Sequence, residues 1–419
     1  MQRRSILKLS GIAGVTSAAL PWLFQRRVDG TASSGRLQKD PARVLDLSPG
    51  LRYRILERAY DRMSDGHWVP ARPDGMACFQ GRDANWVLMR NHELEYNLAL
   101  GPYRADPVAQ AYDPAAAGCV TRLIVSPETR ERVSSNLVLA GTHRNCAGGM
   151  SPWGWISCEE STDDRHGYAF LCPIDQERVA APQRLTGYGR YRHEAACVDP
   201  ATLIAYLTED QPDGCVYRFV PHHPSRPFVG KLQALKHPAV DNYSLSDELR
   251  PGDGIEVDWV DIADPDPKAD TVRYQAAGRG AARLRRGEGI WLSQSSVFIC
   301  STTGGRAQLG QIFALELGRG ALPDRLRLIA ESPDASTLDM PDNITVAPWG
   351  DIVVAEDGWG EQYLRGITPQ GSVYDIGRNA ASRGEFAGVC FSPDGSTLFA
   401  NLQLDGLTVA ISGTFPRLS

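Results

Sequence analysis

One stretch of this 419-residue chain, residues 145–160, combines a thiol with two adjacent carboxylic acids. It reads Asn-Cys-Ala-Gly-Gly-Met-Ser-Pro-Trp-Gly-Trp-Ile-Ser-Cys-Glu-Glu. The Ser-Pro-Trp-Gly sequence at 151–154 predicts a turn, so the flanking residues are expected to pair as a β-hairpin that brings Cys146 close to Glu159 and Glu160. A thiolate beside two carboxylates is costly unless a cation lies between them. The segment is therefore a candidate metal site.

Five further segments repeat this layout of a short strand, a turn, a second strand and then polar residues. They are residues 74–93, 194–210, 288–303, 342–357 and 385–403. Short β-branched or aromatic runs bounded by Gly, Pro, Asp or Asn indicate an all-β protein. Six units that cannot each bury both faces alone predict a six-bladed β-propeller. A pair of β-sandwiches is the alternative, because Pro-Asp-Gly turns recur in many all-β proteins.

The polar residues that flank these hairpins are expected to meet in one place. The start of the first strand and the end of the second lie at the same end of a hairpin, which here would be one mouth of the central channel. The residues concerned are Asp74, Glu93, Cys146, Glu159, Glu160, Glu194, Glu209, Asp210, Glu288, Asp342, Asn343, Asp357 and Glu385. So many acids cannot ionise together without compensation. Oxygen ligands suit calcium and a thiolate admits a transition metal such as iron, so a multi-metal centre is predicted.

Composition narrows the class of protein. A net charge of −6 with no long basic run argues against nucleic acid as a partner, because phosphate binding needs clustered Lys and Arg. The nine cysteines are odd in number and scattered, which predicts buried thiols rather than a disulfide framework.

The amino terminus has the character of a targeting segment. Residues 2–8 read Gln-Arg-Arg-Ser-Ile-Leu-Lys and precede an apolar run at 12–24, which resembles a twin-arginine export signal. A chance arginine pair before a short apolar helix is the alternative. We expect a signal peptide at 1–24, a polar linker at 25–45 and the propeller domain at 46–419, with export through the twin-arginine machinery to the periplasm or beyond. No later stretch is long and apolar enough to predict a membrane span.

A set of short motifs runs in order from about residue 74 towards the carboxyl end. It comprises Asn-His-Glu at 91–93, Asn-Cys-Ala at 145–147, Cys-Glu-Glu at 158–160, His-Glu-Ala at 193–195, Thr-Glu-Asp at 208–210, Arg-Gly-Glu-Gly at 286–289 and Pro-Asp-Asn at 341–343. This ordered combination resembles the PhoX family of bacterial alkaline phosphatases. The resemblance implies a six-bladed propeller that hydrolyses small phosphate monoesters at a mixed iron(III) and calcium cluster.

The resemblance also implies roles for individual residues. Cys146 corresponds to an iron ligand, and Arg286 to an arginine that holds the substrate phosphate. The metal ligands implied by position are Glu194, Glu288, Asp342 and Asp357. Further candidate ligands from the predicted mouth are Glu93, Glu159, Glu160 and Asp210, with the choice between Glu159 and Glu160 open. Candidates for orienting the ligands, or for a structural role, are His92, His193 and Asn343.

The sequence also places four residues in the core or between blades and allows two other functions. Cys158 has apolar neighbours and is expected in the core, while Trp153, Trp349 and Trp359 are expected to pack between blades. A calcium-dependent lactonase-type propeller is one alternative, which would need one calcium and no thiolate. A non-catalytic propeller that binds a partner, or keeps calcium for stability, is the other.

Overall fold

The computed structural model describes residues 36–103, 108–320 and 322–418. The twin-arginine segment and the first part of the predicted linker lie outside these residues. The described residues form 26 strands, two short α-helices and two short 3-10 helices. The all-β prediction is confirmed.

The bounds of these elements are as follows. The first thirteen strands are β1 Leu45–Leu47, β2 Leu51–Arg58, β3 Pro73–Gln80, β4 Trp86–His92, β5 Gly118–Val125, β6 Arg132–Thr142, β7 Asn145–Ser151, β8 Gly154–Glu159, β9 Ala169–Cys172, β10 Gln183–Arg184, β11 His193–Val198, β12 Ala205–Glu209 and β13 Val216–Pro221. The others are β14 Gly230–Lys236, β15 Gly254–Asp261, β16 Gly287–Ser293, β17 Ser296–Ser301, β18 Gln311–Glu316, β19 Asp324–Glu331, β20 Pro341–Val346, β21 Ile352–Glu356, β22 Tyr363–Ile367, β23 Val373–Asn379, β24 Phe386–Phe391, β25 Thr397–Leu402 and β26 Leu407–Gly413. The helices are α1 Leu245–Glu248 and α2 Val272–Ala277, and the 3-10 helices are Leu98–Leu100 and Thr186–Tyr188.

Hydrogen bonding groups the strands into five antiparallel sheets. Four have the orders β3-β4-β5-β6, β10-β9-β8-β7, β1-β23-β22-β21-β20 and β2-β26-β25-β24. The fifth has nine strands and contains two antiparallel runs, β11 to β14 and β16 to β19. These runs are joined because β15 pairs with both β14 and β19.

The first strand of each predicted hairpin contacts the first strand of the next. The contacts run from β3 through β7, β11, β16, β20 and β24 and back to β3, so six strands form a closed ring. This is a propeller-like arrangement, with the later strands of each run lying outside the ring.

Glycine permits the close approach of neighbouring strands in the ring. A Cβ atom on Gly149 would lie 1.4 Å from the carbonyl oxygen of Ala196, and one on Gly289 would lie 2.4 Å from that of Asp342. Any side chain at these positions would force the strands apart. Trp291 in β16 packs against three separate hydrophobic clusters, so its indole lies at the centre of the circle of inner strands.

The two ends of the described chain meet in the sheets. Strand β2 pairs with β26 and β1 pairs with β23, so strands from the start of the chain complete sheets built from its last third. Gln38 bridges to Leu47, and Asp40 accepts hydrogen bonds from the Val44 amide and the Tyr53 hydroxyl. The described part of the predicted linker therefore runs along β1.

Two further expectations can be compared with the fold. All nine cysteines are buried and unbridged, as their scattered spacing predicts. Among the residues that the structure describes, no helix is long and apolar enough to cross a membrane.

Candidate metal centre

A β-bulge recurs at the start of five of the six inner strands and turns the same position towards the mouth of the ring. In each of these strands the first residue pairs with the last residue of the following strand, and the register then shifts before the fourth residue. A bulge re-aims the side chain that it carries. The second residues of these strands are Asp74, Cys146, Glu194, Glu288 and Asp342. Five potential metal ligands therefore share one structural position.

Three of these ligands form a compact cluster. One carboxylate oxygen each from Glu194, Glu288 and Asp342 lies within 4.8 Å of the others. Glu194 and Glu288 are buried, and Oδ1 of Asp342 has no hydrogen-bond partner among the described residues although it is closed off from solvent. Such an arrangement offers several free oxygen lone pairs to a cation.

The acids of this cluster are costly to ionise without a cation. Burial raises the pKa of Glu288 well above its ordinary value, and Asp210 and Glu194 raise it further. Burial also raises the pKa of Glu194 well above its ordinary value, and the negative charge of Asp342 is the next largest cause. The pKa of Asp342 rises to about 7, mainly through burial and then through Asp357. A bound cation would offset these penalties, so the residues fit a metal centre.

Cys146 lies beside Glu194, one of the three carboxylates. Its Sγ atom is 3.3 Å from the carbonyl oxygen of His193 and 3.6 Å from that of Glu194. Burial raises the pKa of the thiol, and Glu194 and Glu160 raise it further. Cys158, by contrast, packs in a hydrophobic cluster, as expected. The two cysteines of the hairpin are therefore separated in the way the sequence predicts.

The ends of the second strands carry pairs of polar residues that point in opposite directions. The first member of each pair is the strand's last residue, and it bonds within the sheet or to the adjoining loops; the second faces the mouth. The residues that face the mouth are Glu93, Glu160, Asp210 and Asp357. The residue before each of them is the last of its strand; these strand-end residues are His92, Glu159, Glu209 and Glu356.

Glu159 is therefore not at the metal centre, and the expectation that it could be a ligand is wrong. Its two oxygens accept hydrogen bonds from the ring of His166 and from the backbone amides of His143, Gly167 and Tyr168. Glu160 instead faces the mouth, where burial raises its pKa to about 8 although the neighbouring Arg144 opposes the rise. Of the two adjacent acids, Glu160 is the one that a metal could reach.

Glu209 is likewise turned away from the mouth, contrary to expectation. It accepts a hydrogen bond of 2.7 Å from the Tyr217 hydroxyl and one of 3.4 Å from Arg273. Its neighbour Asp210 lies at the mouth, where it binds Arg286.

The predicted orienting residues have different surroundings. His92 bonds to the Thr121 hydroxyl and the Ala71 carbonyl, and no hydrogen bond within the described part of the chain links it to a carboxylate of the centre, which favours a structural role. The ring of His193 bonds to the Gly189 carbonyl, away from the centre. Asn343 does contact the cluster.

Asn343 connects a ligand with the next strand of the ring. It donates to Oδ2 of Asp342 at 3.3 Å and accepts a hydrogen bond of 2.7 Å from the Gly388 amide. This arrangement fixes the orientation of Asp342.

The mouth also carries acids that extend the centre outwards. Burial raises the pKa of Asp74, and Glu93 and Asp342 raise it further. Burial together with Asp357 and Asp74 raises the pKa of Glu385. These mutual effects indicate one continuous set of acids around the three central carboxylates.

Arg286 is in contact with the carboxylate cluster. Its Nε and Nη2 atoms donate to the two oxygens of Asp210 at 2.8 and 3.1 Å, and Nη2 also donates to Glu288. Burial alone would lower the pKa of this guanidinium, but Glu288 and Asp210 raise it overall. Arg286 therefore stays charged at the edge of the potential metal ligands.

Three further arginines at the mouth were not predicted. Each stands two residues before a ligand position, as Arg286 stands before Glu288; they are Arg72, Arg144 and Arg192. Arg144 bonds to Glu93 and Glu160, and Arg192 lies 3.5 Å from Glu160. The spacing Arg-x-ligand, four times in one chain, is the signal in the sequence that could have revealed them.

The tryptophan prediction holds for two of its three members. Trp153 packs on Phe228, and Trp349 packs on Phe391 and Phe415. Trp359 is 88% exposed, so its expected packing between blades is wrong. It follows Asp357 by two residues, in the segment between β21 and β22.

Comparison with known proteins agrees with this geometry. The sequence profile of the family described as Alkaline phosphatase PhoX matches residues 33–137 and 128–406. The fold is similar to that of Pseudomonas fluorescens PhoX in complex with vanadate, a transition state analogue, with a TM-score of 0.68, 16% identity, and coverage of 88% of this chain and 96% of that one. Comparison with curated protein sequences gives no match.

Two gluconolactonases are more distant. For the Xanthomonas campestris gluconolactonase XC5397 the TM-score is 0.47 at 12% identity, covering 87% of this chain and 99% of that one. For the periplasmic gluconolactonase PpgL of Pseudomonas aeruginosa it is 0.45 at 13% identity, covering 88% and 95%.

Proposed function

The chain belongs to the alkaline phosphatase PhoX family. We propose that it hydrolyses phosphate monoesters at the cluster of carboxylates and a thiol at the mouth of the ring. The observation that carries this proposal is the contact between Arg286 and Glu288. It joins a guanidinium suited to phosphate with one of the three carboxylates that could share a cation. Family membership decides against the lactonase and the non-catalytic propeller.

The proposed architecture is a six-bladed propeller. The nine-stranded sheet would count as two blades, β11 to β14 and β16 to β19, with β15 as an added strand between them. The closed ring of six inner strands supports this count, because each would be the innermost strand of one blade. Each inner strand except β24 would bring one potential ligand to the centre.

The proposed cofactors are calcium and iron(III) in one cluster. Glu194, Glu288 and Asp342 would hold the metal ions together with Cys146, and Asp357, Glu93, Glu160 and Asp210 extend the donor set. Hard oxygen donors suit calcium, and a thiolate sulfur suits a transition metal such as iron. Bound cations would supply Lewis-acid stabilisation of charge on the phosphate oxygens.

The side chains of this protein would bind and orient the substrate. Arg286 presents two N–H groups to the two oxygens of Asp210, a bidentate geometry that also matches two oxygens of a phosphate. Arg144 bridges Glu93 and Glu160 and offsets the repulsion between their charges. The apolar side chain of Trp291 lies in the centre of the ring and would exclude water from beneath the site.

Elemental analysis combined with a p-nitrophenyl phosphate assay tests the proposal. We expect calcium and iron in the purified protein, phosphatase turnover that falls on chelation and returns with calcium, and loss of both metal and turnover in Glu288→Gln. The control is Glu248→Gln, which changes an exposed acid far along the chain from any ligand. A Glu288→Gln protein with full metal content and full turnover would remove this cluster as the site.

We further propose export by the twin-arginine route. The arginine pair Arg3 and Arg4 before the apolar run at 12–24 supports it, although this segment lies outside the described residues. Replacing both arginines by lysine should retain the protein inside the cell, as measured by fractionation and immunoblotting. Unchanged export of the Lys-Lys variant would contradict the proposal.

A further inference from the structure

A second group of potential ligands lies beside the mouth, separate from the central carboxylates. It consists of His143, His166, Asp113 and Asp163, and we call it the histidine cluster. His143 directly follows β6, His166 lies between β8 and β9, and Asp113 precedes β5. Three stretches of chain that are distant in sequence therefore converge on two imidazole rings.

The two histidines are buried with nitrogen atoms that have no hydrogen-bond partner. His143 is 5% exposed and His166 is fully buried. Among the described residues, neither ring nitrogen of His143 and not Nε2 of His166 forms a hydrogen bond. A buried polar atom without a partner is costly and uncommon in a folded protein. Three such atoms in one place indicate that something not yet accounted for binds them.

Glu159 determines which nitrogen of His166 is free. Its Oε1 atom lies 2.7 Å from Nδ1 of His166 and so takes the N–H at that position. The Nε2 atom lies 3.5 Å from Oδ2 of Asp113, and a metal ion bound there would take the place of the proton that Nε2 carries in the imidazolium form. Histidines that bind a metal usually donate the N–H of one ring nitrogen to a carboxylate, and the other nitrogen then binds the metal beside a second ligand.

Aromatic side chains hold the two imidazoles in place. Tyr96 stacks on His143 with ring centres 4.4 Å apart, and Tyr112 packs edge-on against His166. Tyr96 also donates a hydrogen bond to Asp163, which brings that carboxylate within 3.9 Å of Nδ1 of His143. Tyr96 is half exposed, so the cluster lies near the surface of the protein.

The spacing of the two imidazoles is compatible with one shared tetrahedral transition-metal ion once the ring of His143 has turned. Two imidazoles bound to one zinc through bonds of about 2.0 Å have ring centres about 5 Å apart, and the ring centres of His143 and His166 are separated by 5.3 Å. Two nitrogen or oxygen ligands on such an ion are about 3.3 Å apart, close to the 3.5 Å between His166 and Asp113.

We propose that the histidine cluster binds a divalent transition-metal ion of the zinc type. The ligands are His143, Nε2 of His166 and Oδ2 of Asp113, with Asp163 as the fourth. His143 must turn about its Cβ–Cγ bond to complete the site, which breaks no hydrogen bond because its nitrogens have none. Arg165, which now binds Oδ2 of Asp113, has a side chain that is 62% exposed and can move into solvent.

This ion would brace the rim of the catalytic mouth. It ties the β6–β7 connection, which continues into Arg144 and Cys146, to the loop that follows Glu159 and Glu160. The metal therefore has a positioning role, and the histidine cluster contacts neither substrate nor the central carboxylates.

Zinc binding by the complete protein tests the proposal. Protein purified without chelator is dialysed against Zn²⁺, and its metal content is compared with that of His143→Phe, which keeps a planar ring, and of Asp113→Asn, which keeps the size of the side chain. We expect each variant to hold about one zinc ion fewer per chain than the unaltered protein, whereas the control His222→Ala, at an exposed histidine, loses none.

Crystals of the unaltered protein provide a measurement that does not depend on the folding of any variant. Anomalous diffraction at the zinc edge should show a peak bonded to both His143 and His166. Equal zinc content in all proteins, or an anomalous peak at the central carboxylates alone, would overturn the proposal. His166 would then be an imidazolium that bridges Glu159 and Asp113.

Discussion

Two sets of buried acids in this protein have opposite surroundings. In the blade formed by β3 to β6 and its neighbour, the fully buried Glu57 meets Arg90 at 2.8 Å and Arg132 at 2.7 Å, one guanidinium on each oxygen. At the mouth, Glu194, Glu288 and Asp342 meet one another, and Arg286 reaches one of the three. Both sets are removed from water. One has its charge balanced by the chain itself and the other does not.

The difference shows which buried acids serve the fold and which serve a site. Burying a carboxylate is costly unless a cation and hydrogen bonds compensate it. Glu57 obtains that compensation from arginines, so it needs nothing further. The central carboxylates lack it, so their cost is met when the protein binds cations. Burial alone does not mark a functional residue; burial among like charges does.

Removing one central carboxylate should have the largest effect on activity. Asp342→Asn is expected to lower kcat/KM for p-nitrophenyl phosphate by more than about 100-fold, because even residues that only orient metal ligands contribute up to about that factor. The same substitution should raise the melting temperature of the chelated protein, since it removes a negative charge from a crowded site. Asp258→Asn, at an exposed acid, is the control. If the chelated Asp342→Asn protein melted at a lower temperature than the chelated unaltered protein, the comparison would fail.

Removing the balanced acid should reverse this pattern. Glu57→Gln leaves Arg90 buried without its partner and is expected to lower the free energy of unfolding by about 3–5 kcal/mol. Metal content and kcat/KM of the folded protein should stay unchanged, because Glu57 touches no residue of the mouth. Denaturant unfolding and the phosphatase assay measure the two quantities. A large loss of turnover with intact stability would contradict this assignment.

A conservative change at Arg286 sharpens the comparison at the border between the two sets. Arg286→Lys keeps the charge beside Glu288 but loses the bidentate geometry, so kcat/KM should fall by roughly 30-fold, or about 2 kcal/mol, with calcium and iron retained. Arg82→Lys, at an exposed arginine, should leave kcat/KM unchanged. If metal is lost along with activity, Arg286 is a structural counter-ion rather than a phosphate ligand.

The smallest expected effect concerns pH. In the chelated protein the pKa of Asp342 is raised to about 7 by burial and Asp357, and that of Glu160 to about 8 by burial. Unfolded acids titrate near pH 4, so the folded protein holds protons that the unfolded chain has released. The free energy of unfolding should therefore fall by on the order of 1 kcal/mol per pH unit for each group as pH rises from about 5 towards the pKa of that group in the folded protein.

Thermal unfolding across this pH range measures the effect, and saturating calcium provides the control. Calcium should flatten the dependence, because it stabilises the ionised carboxylates. Stability of the chelated protein that rises with pH would show that these acids are already balanced, as Glu57 is.

The repeated hairpin made much of the centre predictable from sequence. Cys146, Glu194, Glu288 and Asp342 occupy equivalent places in the repeat, and equivalent places meet at the mouth. The choice between Glu159 and Glu160 was not predictable, because it depends on where the strand ends and on the bonds that His166 and nearby amides offer. Strand alternation alone assigns opposite directions to neighbours without saying which one points inwards.

Contacts between segments that are distant in sequence could not be predicted either. The joining of two runs of strands through β15 depends on pairing across long insertions, and the local sequence does not indicate which strands pair. The histidine cluster combines residues 113, 143 and 166, which show no common spacing. Arg144 and Arg192 were visible in principle through their spacing from Cys146 and Glu194, but a single arginine beside a strand is ordinary.

The pairing of β2 with β26 sets the order in which this protein can be completed during synthesis. The last strand of one sheet, residues 407–413, is synthesised long after its partner at residues 51–58. Contacts between residues so far apart in sequence form late and slowly. The sheet of β2, β26, β25 and β24 is therefore completed only after β26 has been made, and a chain truncated before β26 would leave β2 without a partner in this sheet.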